Sequence, residues 1–266
     1  MIDPRLIEAV ETLIAAHSRS GHVPLIAIAG SQGSGKTTLA GTVATRTGAA
    51  HLSLDDVYLT RAERDDLART VHPLFATRGP PGTHDLALLD RVIEALATAG
   101  PKDRTLLPAF DKLADDRLPP PAWPVFAGRP TAILLDGWCL GATPQPEAAL
   151  VEPINGLERD RDSDGRWRRA VNDALGGPYR ALFARFDALL FLKAPTFEVV
   201  LDWRCEQEAG LMGLVPADLP AAGRARLAGF IAFFERITRS MIAGGVAADV
   251  AVSLDRDRRV TRIDGL

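Results

Sequence analysis

The sequence has little of several residue types, and each shortage excludes a class of protein. Its only cysteines are Cys139 and Cys205, too few for a disulfide framework or a cysteine-rich zinc site. The formal net charge is −3, which gives no general attraction to nucleic acid or to acidic membranes. No apolar run approaches the length of a membrane span. These shortages predict a cytoplasmic protein without a membrane or nucleic-acid partner.

Lysine is scarce although arginine is common, and one lysine stands in a glycine-rich loop. The lysines are Lys36, Lys102, Lys112 and Lys193. Lys36 belongs to the run Gly30-x-x-x-x-Gly35-Lys36-Thr37, which follows an apolar segment and precedes a helical pattern. That is the Walker A pattern in the strand–loop–helix context that it requires. The glycines let successive backbone N–H groups face a phosphate chain, and the helix N-terminus favours negative charge there.

The glycine-rich loop predicts a site for a nucleoside triphosphate. Lys36 is expected to reach the β- and γ-phosphates, and the Thr37 hydroxyl is expected to ligate Mg²⁺. The predicted nucleotide-binding residues are Gly30, Ser31, Gln32, Gly33, Ser34, Gly35, Lys36, Thr37 and Thr38. The sequence has neither the Asn-Lys-x-Asp run of guanine-binding proteins nor the His-Arg-Asp segment of protein kinases. These two absences favour ATP as the nucleotide and a small molecule as the acceptor.

Apolar segments alternate with helical patterns along the chain. Buried strands are predicted at residues 25–29, 50–54, 132–135, 188–192 and 250–254. Helices are predicted at residues 4–17, 36–46, 86–99, 179–186, 196–209 and 223–243. This alternation predicts one α/β domain over residues 1–266, with a mainly parallel five-stranded sheet covered by helices on both faces. Ligands of such sheets bind at the carboxyl ends of the strands.

Two regions interrupt this alternation. Residues from about 60 to 128 are predicted to lie on the substrate side of the sheet. The proline-rich stretch 100–130, which overlaps them, is expected to be irregular. Residues 152–169 are dense in charge and poor in apolar residues, so they are interpreted as a solvated loop or a mobile segment leading into a helix.

Acidic residues follow two of the predicted strands. Asp55 and Asp56 directly follow the second predicted strand, one strand away from the glycine-rich loop. Asp55 is predicted to accept the proton of an acceptor hydroxyl and to help hold Mg²⁺, although a helix cap or a solvated turn is the simpler role for such a residue. Asp136 ends the third apolar run, as in a Walker B arrangement, and is predicted to hold Mg²⁺ directly or through water.

Several further polar residues are candidates for binding the acceptor. Arg78, Lys112 and Arg117 offer charge and hydrogen bonds that suit a small anion, but each is also an ordinary surface residue until its geometry is known. The predicted substrate-binding residues are Asp55, Tyr58, His72, Arg78, Thr83, His84, Asp85, Lys112 and Arg117. Thr83 and Asp85 precede a helical pattern and have helix capping as their alternative role.

Arg204 lies on the predicted helix after the fourth strand, within a lid region predicted at about residues 196–225. A lid arginine closes over the phosphates and offsets the charge that develops in the transition state, so Arg204 is predicted to be catalytic together with Asp55 and Lys36. The alternative is a simple pair between Arg204 and Glu208, which are four residues apart.

With these segments identified, nearly the whole chain resembles the P-loop kinases related to phosphoribulokinase, uridine kinase and pantothenate kinase. Within that group it resembles most the D-glycerate 3-kinase type of plants and fungi, which has bacterial relatives. The residues that carry the resemblance are the runs 30–37, 52–58, 72–74, 78–85, 110–112, 115–117, 136–141 and 203–208.

The resemblance implies a three-layer P-loop sandwich with a small lid, and transfer of the γ-phosphoryl of ATP to the 3-hydroxyl of D-glycerate. It also implies that Asp55 is the general base or positions the acceptor hydroxyl. Asp136 stands where relatives often carry Glu, and Val57 replaces a more usual Phe. The expected partner is a small acidic alcohol, and the protein is expected to be a monomer or a homodimer. Related kinases of nucleosides or pantothenate, and a regulatory ATP-binding protein without catalysis, remain alternatives.

Overall fold

The computed structural model describes residues 2–265, and six of the strands within this range form one sheet. The strands in chain order are β1 (Leu25–Gly30), β2 (Ala50–Ser53), β3 (Arg104–Leu106), β4 (Phe110–Asp111), β5 (Asp116–Arg117), β6 (Val125–Ala127), β7 (Ile133–Gly137), β8 (Ala188–Lys193), β9 (Val250–Leu254) and β10 (Val260–Asp264). The order across the sheet is β10-β9-β8-β1-β7-β2, and β1 pairs in parallel with both β7 and β8. The phosphate-binding pattern therefore follows a central strand.

Helices cover both faces of this sheet. They are α1 (Pro4–His17), α2 (Lys36–Thr47), α3 (Arg61–Thr70), α4 (Leu86–Thr98), α5 (Gly156–Arg161), α6 (Arg166–Ala174), α7 (Arg180–Phe183), α8 (Glu198–Leu211), α9 (Ala221–Ile231) and α10 (Glu235–Ile242). Side chains of a strand alternate between its two faces. Accordingly Ile26 and Ile28 of β1 pack in one core with α1, α2 and α8, whereas Leu25 and Ala27 pack in the other core with α4, α6 and α10. The predicted three-layer α/β fold is confirmed.

The predicted number of strands was one too small. The sixth strand, β10, pairs antiparallel with β9 at the edge of the sheet. Its Thr261 and Arg262 are exposed, as suits an edge strand with one solvated side, so β10 has no continuous apolar run that could have revealed it. The other predicted strands lie within two residues of the observed bounds.

The interpretation of residues 152–169 as a solvated loop or mobile lead-in was also wrong. These residues form α5 and the first turn of α6, and three of their charged side chains are buried: Glu158, Asp162 and Arg168. The Arg236 guanidinium donates to both oxygens of Glu158 at 2.7 and 2.6 Å, and Arg168 donates to Asp162 at 3.0 Å. These three charges are paired in the interior, whereas most other charged residues of the segment are exposed, so charge density alone did not distinguish the two groups.

Two predicted helices differ in detail. The predicted helix 223–243 is interrupted between α9 and α10, where Phe233 and Phe234 pack edge-on against Trp167 and Trp138 respectively. The predicted helix 179–186 begins earlier, in a wide π turn at Leu175–Tyr179, and its regular part is α7.

The region between α4 and β7 is less irregular than its prolines predicted. It contains the short hairpin pairings β3–β6 and β4–β5, and the β4–β5 hairpin approaches the carboxyl end of β2. Among residues 2–265, no helix is both long enough and apolar enough to cross a membrane.

Candidate active site

The loop between β1 and α2, residues 30–37 and called the phosphate loop below, has the geometry that its glycines predict. Gly33 and Gly35 have φ angles of +78° and +93°, a left-handed conformation that side chains disfavour. A Cβ atom on Gly33 would also lie only 2.6 Å from the Cβ of Trp203 on α8. Glycine at position 33 is therefore required both by its own backbone and by the close approach of α8.

Polar groups of the phosphate loop have capacity for further hydrogen bonds. The buried atoms Ser31 Oγ, Gln32 Oε1 and Ser34 Oγ have no hydrogen-bond partner among the described residues. Buried polar atoms are otherwise almost always paired, so such a cluster indicates a ligand site. Lys36 begins α2 and its side chain is largely buried beside the loop, where the helix N-terminus adds further positive potential. These groups fit a chain of phosphates.

Asp55 lies one strand away from the phosphate loop, in a short turn that directly follows β2. The Ser53 hydroxyl caps this turn by accepting from the Asp55 backbone N–H at 3.3 Å. The Tyr58 hydroxyl donates to one carboxylate oxygen of Asp55 at 2.7 Å, and the Lys112 ammonium donates to the other at 3.3 Å. The Asp55 carboxylate is therefore held in one orientation, with the Lys112 ammonium at the oxygen that Tyr58 does not contact.

The pKa of Asp55 is low for a largely buried carboxyl group. Burial by itself raises the pKa of Asp55, but the charges of Lys112 and Lys36 and the hydrogen bond from Tyr58 outweigh that effect and lower the pKa to about 2. Asp55 is consequently ionised at neutral pH. The neighbouring Asp56 behaves differently: burial, opposed by Lys112 and assisted by the charges of Asp55 and Asp136, raises its pKa to about 6.

Tyr58 and His84 form an aromatic wall beside Asp55. Their rings stack with centroids 4.6 Å apart, and Phe110 contacts Tyr58 edge-on at 5.2 Å. His84 is buried, and its Nδ1 is hydrogen-bonded to the Tyr179 hydroxyl. Burial lowers the pKa of His84 to about 3, so the ring is neutral at physiological pH. Its Nε2 is buried and has no hydrogen-bond partner among the described residues.

Basic side chains complete this side of the site. Arg78 forms an ion pair with Asp115 at the turn of the β4–β5 hairpin, and its guanidinium lies 5.6 Å from the centre of the Phe110 ring. Asp115 also pairs with the fully buried Arg64 at 3.0 Å. The same hairpin carries Lys112. We use the name acceptor wall for Tyr58 and Lys112, which contact Asp55, together with His84, which stacks on Tyr58, and Arg78, which donates to the Lys112 carbonyl at 3.4 Å.

Asp136 lies at the end of β7, next to β2, and is only 1% exposed. One of its carboxylate oxygens accepts from His51 Nε2 at 2.8 Å and the other from the Ser53 hydroxyl at 3.0 Å. Neither His51 nor Ser53 was among the site residues predicted from the sequence. Their alternation along β2 was the available signal, because it places both side chains on the same face of the strand. That Asp136 and Thr37 hold a metal ion stays a prediction.

Four predicted substrate-binding residues have structural roles in this region. The hydroxyl of Thr83 is completely buried and donates to the Pro80 carbonyl at 2.7 Å. Asp85 caps α4 by accepting from the Leu88 N–H at 2.8 Å, and it pairs with Arg117 at 2.9 Å. The structure thus places Thr83, Asp85 and Arg117 in the support of the acceptor wall.

His72 has a comparable role. Its Nδ1 accepts from the Leu74 N–H at 3.3 Å and so caps a short 3₁₀ turn, and its Nε2 lies 3.8 Å from the buried Asp162 carboxylate. These contacts direct the ring away from the acceptor wall and toward the buried charges at the start of α6.

Arg204 lies on α8 next to Trp203, whose backbone and Cβ contact Gly33 of the phosphate loop. Its guanidinium donates to Glu208 at 3.0 Å and to Gln207 at 3.2 Å. In this structure Arg204 therefore makes the contact with Glu208 that the sequence offered as the alternative to a phosphate-binding role. Its place beside the loop leaves the catalytic role a prediction.

The site's combination of a phosphate loop, an adjacent strand-end carboxylate and a basic wall defines the class of P-loop kinases. No protein-family model matches the chain. The chain is 30% identical over 204 residues, 70% of each protein, to the uncharacterized kinase mug58 of Schizosaccharomyces pombe. The chain belongs to the kinase family of that protein.

Solved structures show the same fold at lower identity. A D-glycerate 3-kinase from Cryptococcus neoformans superposes with a TM-score of 0.74 at 20% identity, covering 97% of this chain and 98% of that one. The YGR205w protein superposes with a TM-score of 0.71 at 22% identity, covering 97% and 95%. A putative fructose transport system kinase from Silicibacter sp. TM1040 gives a TM-score of 0.60 at 20% identity, covering 92% and 98%. The predicted resemblance to this group of P-loop kinases is confirmed.

Proposed function

We propose that this kinase transfers the γ-phosphoryl of ATP to a hydroxyl of a small acidic alcohol, with D-glycerate as the acceptor and 3-phosphoglycerate as the product. The observation that carries the proposal is the position of Asp55. On the side of the phosphate loop, its carboxylate experiences the positive charge of Lys36. On the side of the acceptor wall, it accepts hydrogen bonds from Tyr58 and Lys112. The similarity to a D-glycerate 3-kinase over nearly the full length of both chains supports the choice of acceptor.

The phosphate loop supplies the donor half of the site. Its backbone N–H groups, Lys36 and the unpartnered hydroxyls of Ser31 and Ser34 suit the triphosphate of ATP. The hydroxyl of Thr37 and the carboxylates of Asp55 and Asp136 are oxygen donors of the kind that Mg²⁺ prefers. When bound, Mg²⁺ neutralises charge on the phosphate oxygens. The unpartnered hydroxyls of the loop, among the described residues, fit the phosphates, and these three oxygen donors fit Mg²⁺.

The acceptor wall suits a substrate that carries its own negative charge. Arg78 is already paired with one carboxylate, that of Asp115, and Lys112 with another, that of Asp55. A guanidinium and an ammonium at this position bind a carboxylate strongly, since hydrogen bonds between charged groups are about twice as strong as neutral ones.

The low pKa of Asp55, about 2, defines its part in the reaction. An ionised carboxylate with that pKa accepts a hydrogen bond from the acceptor hydroxyl and orients its oxygen toward the γ-phosphorus. As the new oxygen–phosphorus bond forms, the bond to the β–γ bridging oxygen breaks, ADP leaves, and the hydroxyl proton passes to Asp55. In a loose transition state the proton moves late, so a weak base is sufficient and orientation contributes most of the effect.

A panel of acceptors tests this proposal. Formation of ADP is measured with D-glycerate, uridine, pantothenate and several sugars, and the phosphorylated product is identified by phosphorus NMR. We expect ADP formation with D-glycerate and a single product, 3-phosphoglycerate. Activity with uridine or pantothenate but none with D-glycerate would show that the acceptor is a different metabolite. Binding of ATP without phosphorylation of any alcohol would favour a regulatory ATP-binding protein.

A further inference from the structure

The turn between β9 and β10 holds an arginine in an unusual backbone conformation. Arg258 has a φ angle of +64°, in the left-handed region that residues other than glycine rarely adopt. The Asp255 carboxylate stabilises this turn by accepting from the N–H groups of Asp257 and Arg259, both at 2.8 Å. A residue kept in such a conformation indicates that the surrounding contacts determine its position.

The side chain of Arg258 contacts two other parts of the active site. Its Nε donates to the carbonyl of Gly33 in the phosphate loop at 2.7 Å, across 225 positions of sequence. A terminal nitrogen of the same guanidinium lies 2.7 Å from the Glu206 carboxylate, and the guanidinium carbon lies 5.0 Å from the centre of the Trp203 ring. Arg258 therefore connects the phosphate loop with α8 through one rigid planar group.

The hydrogen bond to Gly33 fixes one peptide of the phosphate loop. In a planar trans peptide the carbonyl and the N–H of the next residue point in opposite directions. Because the Gly33 carbonyl faces Arg258, the Ser34 N–H faces the interior of the loop, where it donates to the Ser31 carbonyl at 3.2 Å and closes the turn of the loop. Release of the Gly33 carbonyl would allow this peptide to rotate about ψ of Gly33 and φ of Ser34, and Gly33 has little steric preference of its own.

The same turn also supports α8 by a second contact. The Trp203 indole N–H donates to the Arg256 carbonyl at 2.7 Å, and the backbone of Trp203 contacts Gly33. Three segments, namely the phosphate loop, the middle of α8 and the β9–β10 turn, thus pack as one unit. No residue of the β9–β10 turn was among the site residues predicted from the sequence.

We propose that Arg258 is a positioning residue for the phosphates of the nucleotide: it fixes the Gly33–Ser34 peptide, and with it the shape of the phosphate loop that surrounds them, and it keeps α8 against the loop. The proposal rests on the donor half of the proposed function, and it does not depend on which alcohol is the acceptor.

The test compares nucleotide binding by variants at position 258. Arg258→Gly keeps the backbone conformation, which glycine adopts freely, and removes the side-chain contacts. Arg258→Lys keeps the positive charge and the backbone strain but loses the planar fork. Arg259→Ala is the matched control, because Arg259 lies in the same turn, is 76% exposed in its side chain and pairs only locally with Asp257. Affinity for ADP with Mg²⁺ is measured by titration calorimetry without an acceptor, together with the melting temperature of each nucleotide-free protein.

We expect Arg258→Gly to weaken ADP binding about tenfold, the effect of one charge-assisted hydrogen bond, and Arg258→Lys to weaken it less. In assays with a working acceptor, the KM for ATP should rise about as much, while kcat and the KM for the acceptor change by less than about twofold. The control should bind ADP as the wild type does.

Two results would overturn the proposal: ADP affinity of Arg258→Gly and Arg258→Lys within about twofold of wild type, or weakened binding that only parallels a lowered melting temperature. A wild-type protein that binds ADP but phosphorylates none of the acceptors contradicts the proposed function, and the comparison at position 258 still gives its result. A wild-type protein that does not bind ADP contradicts both.

Discussion

The phosphate loop and the acceptor wall differ in how they are built. The phosphate loop is one continuous segment, residues 30–37, with buried polar atoms that have no partner among the described residues. The acceptor wall takes its side chains from three separate stretches of chain, and its cations are already paired: Arg78 with Asp115 and Lys112 with Asp55. One half of the site has spare hydrogen-bonding capacity, and the other satisfies its charges internally.

This difference indicates how each half selects its ligand. Backbone groups and one lysine bind phosphates whatever molecule carries them, so the phosphate loop determines the class of the protein but not its particular substrate. The acceptor wall must exchange internal ion pairs for contacts with the substrate, which a ligand with its own negative charge can do with little loss. The proposed function therefore assigns the choice of acceptor to the charges of the wall.

The largest effect is expected where the two halves meet, at Asp55. Asp55→Asn should lower kcat by roughly 10²–10⁴-fold, because the acceptor hydroxyl loses the group that orients it and takes its proton. Affinity for ADP should stay close to the wild-type value, as measured by calorimetry. Asp65→Asn, at an exposed carboxylate on α3, serves as the control and should be fully active. A kcat within tenfold of wild type in Asp55→Asn would rule out this role.

A change confined to the phosphate loop comes next. Lys36→Ala should lower kcat by about 10²–10³-fold and also weaken ADP binding, since the ammonium contacts charge that is present before and during transfer. Steady-state kinetics and calorimetry measure the two effects. The control is Lys102→Ala, an exposed lysine after α4. Lost acceptor affinity with unchanged nucleotide affinity would contradict the division of the site into two halves.

The corresponding change in the acceptor wall should act on the acceptor alone. Arg78→Gln removes a guanidinium that binds carboxylate, so the KM for D-glycerate should rise about tenfold or more while the KM for ATP stays nearly constant. Arg91→Gln, at an exposed arginine of α4, is the matched control. An equal rise in both KM values would indicate that Arg78 only maintains the structure of the site.

A separate prediction concerns stability and the neutral state of His84. Because burial lowers the pKa of His84 from 6.5 to about 3, the unfolded chain binds this proton at a higher pH than the folded protein does. Stability should therefore fall as the pH is lowered from 6.5 toward 3, by about 1.4 kcal/mol per pH unit from this group. Asn at position 84 keeps an acceptor for the Tyr179 hydroxyl and cannot take up the proton.

Urea unfolding at pH 7.5 and pH 5 measures this contribution. The wild type should lose about 2 kcal/mol more than His84→Asn between the two pH values. His17→Asn, at the end of α1, controls for the loss of a histidine. Identical losses in the wild type and in His84→Asn would mean that the ring is not held neutral in the folded state.

The parts of the structure that the sequence predicted are local or periodic. A window of about ten residues is enough to recognise the apolar runs of β1, β7 and β8 and the glycine spacing of the phosphate loop. The edge strand β10 has no such signal, and the buried charges of Glu158 and Asp162 resemble surface charges until their partners Arg236 and Arg168 are known. Pairing decided these cases: β10 pairs with β9 across a short turn, Arg168 pairs with Asp162 six positions away, and Arg236 pairs with Glu158 across 78 positions. Such pairing is not visible in composition.

The active site divides in the same way. Lys36, Asp55, Arg78 and Lys112 were predicted from their motifs and lie in the site. The ion pair between Arg78 and Asp115 spans 37 positions, and the contact from Arg258 to Gly33 spans 225. Both contacts depend on turns that contain a non-glycine residue with positive φ, namely Asp115 and Arg258. No sequence pattern predicted this conformation at either position.

The central claim is that the acceptor wall is organised for an anion, and a matched pair of acceptors tests it most directly. Glycerol has a hydroxymethyl group where D-glycerate has a carboxylate, so the two differ mainly in charge. We expect kcat/KM for D-glycerate to exceed kcat/KM for glycerol by about 10²-fold or more. This is the effect expected of charge-assisted hydrogen bonds from Arg78 and Lys112 to the carboxylate. Equal kcat/KM values for the two acceptors would contradict it.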